Sequence, residues 1–197
     1  MNLLNKKSTL IALTLLVVIF LIIDFFDKDL LVGLGLLLFL TAITFLIFYI
    51  SGARDKSLYV LCGIVLAIHV AVVVFSYYTN FQPFGPGDYV GYQKTAEEVT
   101  QRIGQGDYFF KGVKIPHAYP VLIGIIYSFS LPKIIVGNMF SVWLSMVSVA
   151  LVFFIVKEIS ISKYWPPVIA LMVAVYPSYL FFGSLLLKDT VVVPLSL

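Results

Sequence analysis

Asp88 is the residue of this chain best placed to do chemistry. It follows Gly85-Pro86-Gly87 in the only long polar loop, Thr79–Lys133, of a sequence otherwise built from apolar runs. A carboxylate there has two readings. It can cap the helix that follows by accepting hydrogen bonds from the first free backbone N–H groups. It can also stand at the water–lipid boundary as a general base toward an acceptor, or hold a cation. Catalytic groups sit disproportionately on loops carried by a rigid scaffold, so the loop is where a site is sought. Arg102, Lys111 and Lys114 in the same loop suit a lipid phosphate or simple snorkelling toward headgroups, and His117 stands just before the loop's apolar run. Near the other end of the chain, Lys188-Asp189 emerges from an uncharged run. That pair reads as an interfacial stop with a helix-starting Asp, or as a second functional pair.

Composition sets the class of scaffold. Hydrophobic residues make up 61% of the 197 and charged residues 12%, with a mean hydropathy of +1.04. Soluble domains carry roughly a quarter charged residues, so the expected fold is an all-α integral membrane protein. The net charge of +3 is spread along the chain, whereas a nucleic-acid interface needs a clustered basic footprint. The single cysteine, Cys62, lies in an apolar run and reads as a small buried hydrophobe, excluding a disulfide framework.

A bilayer core takes about 20 apolar residues of helix. Five segments are expected to span: Ser8–Ile23, Leu30–Ile50, Leu58–Tyr78, Ile134–Val156 and Trp165–Leu187. Short loops rich in Lys and Arg stay cytoplasmic. Lys6-Lys7, Arg54/Lys56 and Lys157/Lys163 then face inward, while Asp24, Asp27 and Asp29, the long loop and Lys188-Asp189 face outward. The shorter run Ala118–Leu131, bounded by Pro116 and Pro132, reads as an interfacial helix. The last eight residues, Thr190–Leu197, look like the start of another span, so the chain is expected to be the N-terminal part of a longer protein.

Inside the loop Tyr89, Tyr92, Ala96, Val99 and Ile103 recur at three- and four-residue spacing and define one face of a helix. Gly104 and Gly106 stop it. The expectation is a helix lying flat on the membrane, stripe down. Glu97 and Glu98 read as solvated charges, and His69 as a neutral histidine hydrogen-bonded to a neighbouring helix.

The order Gly87-Asp88-Tyr89-x-x-Tyr92-x-x-x-Ala96, the Gly104/Gly106 stop, Asp107-Tyr108-Phe109-Phe110 and His117-Ala118-Tyr119-Pro120 resembles the first external loop of GT-C glycosyltransferases. It is most similar to the family 39-like bacterial enzymes of the protein O-mannosyltransferase and aminoarabinose transferase type. Pro177-Ser178-Tyr179 through Ser184 to Lys188-Asp189-Thr190 resembles the family's second external loop. The likeness covers residues 58–197, making 1–57 two additional N-terminal transmembrane helices and 58–197 the N-terminal part of a GT-C-like domain with external loop 79–133. Tyr89 follows Asp88 where the family often carries a second carboxylate or an alanine, so adjacent carboxylates for a metal are missing.

The resemblance implies a sugar on a polyprenyl phosphate, presented at the outer leaflet of a bacterial plasma membrane and transferred with inversion to a hydroxyl of a glycan, lipid or protein acceptor. Asp88 would act as general base, with Asp189 orienting the acceptor or holding a divalent cation. Lys188, His117 and Arg102 would bind the donor phosphate. The rival expectation is a polytopic transporter or lipid-linked-sugar flippase, which would place charges and broken helices near the midplane.

Overall fold

A computed structural model describes residues 27–81 and 87–186, with Thr14. Among these residues there are seven helices and no strand. The expected first span Ser8–Ile23, the pair Lys188-Asp189 and the terminal Thr190–Leu197 lie outside the described residues.

Three helices are long and apolar enough to cross a membrane. Helix α1, Lys28–Ile50, begins where the Asp27 carboxylate accepts the Leu30 N–H at 2.9 Å. Helix α2, Lys56–Thr79, begins in the same way at Asp55, which accepts the Ser57 N–H at 3.1 Å. It stops at Asn80, whose left-handed φ of 50° suits asparagine better than most side chains. The loop carries α3, Asp88–Gly104, and α4, Ala118–Ser128. Pro120 is tolerated in α4 because it sits in the first turn, where no intrahelical acceptor awaits its missing N–H. Helix α5, Ile134–Ile159, is the third long helix.

The expected span Trp165–Leu187 is not one helix. It divides into α6, Trp165–Val175, and α7, Pro177–Phe182. Pro177 disfavours helical backbone in the residue before it, and Tyr176 accordingly sits at φ −59°, ψ 126°.

Helix α5 is the hub. Of its most apolar stretch 67% is buried, against 28% for α1 and 33% for α2. Gly33 lets α1 approach closely, since a Cβ there would lie 3.1 Å from Cγ of Met139 and 3.5 Å from the Ile135 carbonyl. Leu58, Leu61, Cys62 and Val65 of α2 pack with Met146, Val149, Ala150 and Phe153 of α5, and Ala170 and Ala174 of α6 close that cluster. The outward faces of α1 and α2 show Phe39, Ile47, Ile50, Val60 and Phe75, the surface a bilayer would solvate.

Ion pairs sort the helix ends. Lys133 at the start of α5 meets Asp29 at 3.1 Å, and Tyr78 at the end of α2 donates to Asp27 at 2.8 Å. At the opposite end Lys157 meets Asp55 at 3.4 Å. Exposed pairs of this kind stabilise little, but they identify which ends lie together. The α3–α4 module sits at the Asp29–Lys133 end, where the Gln93 amide reaches the Pro132 carbonyl at 3.5 Å.

The apolar stripe of α3 does not face lipid. Tyr89, Tyr92, Ala96 and Val99 are all buried, and α4 covers them. A Cβ on Gly124 would fall 2.5 Å from Val99 Cγ1 and 2.9 Å from the Ala96 carbonyl, so the glycine sets how closely the two helices cross. A helix partner with a flat patch outcompetes the membrane for the same stripe.

Candidate functional site

Asp88 is the first residue of α3, not its cap. Gly87 holds the N-cap position with extended backbone and no side-chain cap bond. The Asp88 carboxylate is exposed, makes no ion pair among the described residues, and lies where the helix dipole favours negative charge. One turn on, about 6 Å along the axis, Tyr92 meets the His117 ring edge-on at 5.8 Å and the Tyr119 ring at 5.8 Å. His117 is the residue before the first turn of α4, again without a side-chain cap bond. The fold thus gathers Asp88, Tyr92 and His117 at one end of the module.

Arg102 does not belong to this group. Fourteen residues of α3 separate it from Asp88, about 21 Å, and its guanidinium pairs with Asp107 at 3.7 Å. The glycine stop turns the chain back onto Arg102, and the Asp107 carboxylate pairs with its guanidinium there. Lys188 and Asp189 lie outside the described residues. Leu186, the last described residue, packs beneath the module, where a Cβ on Gly137 would fall 2.5 Å from Leu186 Cδ1 and 2.7 Å from the Tyr127 hydroxyl.

Residues missed in the sequence line the floor of the module. Tyr127 donates to Gln93 Oε1 at 2.5 Å, and the Gln93 amide donates to Glu97 at 2.7 Å. Burial pushes the Tyr127 hydroxyl well above the usual phenol range, reinforced by the neighbouring Tyr119 and Glu97, so it stays a neutral donor. The Tyr119 hydroxyl shares a hydrogen bond with Ser141 at 3.2 Å. Tyr119, Ile123 and Tyr127 recur every four residues, a signal that marked the α4 face meeting α3 and α5.

A second polar group lies inside the spans. His69 is fully buried, with Nε2 3.3 Å from the Ala174 carbonyl and Nδ1 3.2 Å from Ser184 Oγ. This is the expected histidine hydrogen-bonded to a neighbouring helix. Ser145 donates to the Gly183 carbonyl at 3.0 Å, and Tyr179 donates to the Ser145 carbonyl at 3.1 Å. Asn138, Ser141, Ser145 and Ser148 are all buried on α5 at three- and four-residue spacing, and Asn138 Oδ1 has no partner among the described residues.

No three His, Cys, Asp or Glu residues gather as a cation site among the described residues. Among the described residues Asp88 would supply a single ligand.

These features are those of a helical membrane protein, with three helices long and apolar enough to cross a membrane and the α3–α4 module packed at one end. No protein-family model, curated protein or solved structure matches the chain.

Proposed function

We propose that this chain is part of a membrane glycosyltransferase that moves a sugar from a polyprenyl-phosphate donor to an acceptor hydroxyl. The observation that carries this reading is Asp88: an exposed carboxylate with no ion pair among the described residues, on the first turn of a packed helix and one turn from the Tyr92–His117 contact. Asp88 takes the proton of the acceptor hydroxyl as its oxygen attacks the anomeric carbon. The bond from that carbon to the phosphate oxygen breaks on the opposite face, the lipid phosphate leaves with the electron pair, and the centre inverts. His117, held against Tyr92, donates to the phosphate in this reading. Lys188 and Asp189 complete the site in this reading.

The outer face is assigned from charge. Arg54, Lys56, Lys157 and Lys163 share the Asp55–Lys157 end, which is therefore cytoplasmic, and the module is external. In the full-length protein, Asp88→Asn is expected to lower transfer at least ~100-fold, the lower range for losing a general base. Folding should be nearly unchanged, because Gly87 and not Asp88 is the cap. Full activity in Asp88→Asn would remove the base role.

One observation favours the rival class. The helix broken at Tyr176-Pro177 lies beside buried His69 and the polar face of α5, the arrangement transporters use near the midplane. A transporter or flippase would move the lipid-linked sugar across vesicles and leave its glycosidic bond intact. A transferase would produce free polyprenyl phosphate.

A further inference from the structure

The loop joining α3 to α4 holds two aromatic rings in the open. Gly106, Phe110 and Gly112 all take left-handed backbone, with φ of 79°, 50° and 80°. Glycine adopts this freely, whereas phenylalanine does so only where its surroundings impose it. Asp107 imposes it here: Oδ1 accepts the Phe109 N–H at 3.1 Å, Oδ2 accepts the Lys111 N–H at 3.0 Å, and Arg102 pairs with the same oxygen. The outcome is Tyr108 and Phe109 at 70% and 87% exposure. Large aromatic side chains presented this openly on a braced loop mark a surface that meets something.

Charge says what it meets. From Val99 to Lys133 the only acid is Asp107, and Arg102 already occupies it. Lys111 and Lys114 are exposed beside the rings. A partner therefore combines apolar depth with negative charge. The loop belongs to the module whose Gln93 amide reaches the Pro132 carbonyl, beside the clustered ends of α1, α2 and α5. The stripe of α3 that would otherwise have rested on a bilayer is consumed by α4.

We propose that the Tyr108–Lys114 loop is the module's contact with the membrane surface. Tyr108 and Phe109 enter the headgroup layer, where aromatic side chains concentrate. Lys111 and Lys114 pair with the phosphates of anionic lipids. This contact is independent of glycosyl transfer: it fixes the height of the module above the bilayer whatever chemistry Asp88 performs.

The test is a nitroxide on Phe109→Cys in a Cys62→Ala background, with the whole chain in vesicles of phosphatidylcholine with or without phosphatidylglycerol. Phe109 makes little contact, so the substitution leaves folding intact. In vesicles containing phosphatidylglycerol, dissolved oxygen should relax the label more than a water-soluble nickel chelate does. That preference should weaken in phosphatidylcholine alone and in Lys111→Gln/Lys114→Gln. A label reached chiefly by the nickel chelate in anionic vesicles would overturn the proposal. So would an accessibility indifferent to both lipid charge and the lysines. A label immobilised and shielded from both reagents would overturn it too, in favour of a protein partner.

Discussion

Gly124 of α4 sits so close to Val99 of α3 that any side chain on it would occupy the space of the valine. Gly124→Ala should therefore destabilise the module by about 1–3 kcal/mol, the usual cost of overpacking, read as a drop in the detergent melting temperature. Val99→Ala should restore part of the loss when combined with it. Gly91, also on α3, has nothing within 4 Å of its would-be Cβ. Gly91→Ala should be neutral or stabilise by roughly 0.5–1 kcal/mol. Equal effects at the two glycines would mean that α3 and α4 do not cross as described.

Asp55 starts α2 at the opposite end of the bundle. Its hydrogen bond from Ser57 and the neighbouring Lys157 hold its carboxyl below the usual carboxylate range. A folded-state pKa lower than the unfolded one gives stability that is present above the unfolded value and lost as pH falls through the folded value. Asp55→Ala should cost about 1 kcal/mol at pH 7, as for other lost caps. That gap should shrink as the pH falls below about 4, the ordinary range for aspartate. A gap that widens on acidification would contradict the sign.

His69 and Ser184 bridge α2 to the segment after α7. Removing either strands a buried polar atom, so His69→Leu should destabilise by about 1–3 kcal/mol. Ser184→Ala added to it should cost less than it does alone, because the two share one interaction. Chemical denaturation of the four proteins of the cycle gives the coupling, and strict additivity would separate the two side chains.

Topology is tested with single cysteines on a Cys62→Ala background. Gln105→Cys should react with an impermeant thiol reagent from outside, and Lys163→Cys only after permeabilisation. Ser184→Cys should stay unlabelled from either side, since Ser184 is 1% exposed. Labelling of Gln105→Cys from inside alone would reverse the orientation.

The long spans were legible because length and hydropathy are nearly sufficient for them: α1, α2 and α5 extend the expected segments by no more than three residues at an end. The break after α6 was legible in principle from Pro177. Averaged hydropathy hides it, because that measure counts side chains and not the backbone donor proline lacks. Helix α3 was readable from the spacing of Tyr89, Tyr92, Ala96 and Val99, but not the identity of what covers it. Acyl chains and a helix satisfy such a stripe alike, and the decision rests on Gly124, far along the chain. Asp88 was seen to open the helix, one position away from the true cap at Gly87. Arg102 and His117 look like equals in one loop when read linearly, yet the length of α3 and the Asp107 pair set Arg102 apart.

Helix α1 finds its main partner late. Its Gly33 seats against α5, and its Thr44 hydroxyl receives the Trp143 indole N–H at 2.9 Å. Helix α5 begins about 55 residues after α2 ends. At roughly 5–20 residues per second of synthesis, α1 and α2 wait several seconds in the bilayer before that surface exists. During the wait Thr41 and Thr44 face lipid or the insertion machinery. Helix α1 is therefore without its main partner until α5 is made, and a substitution that unseats α5 should loosen α1 first.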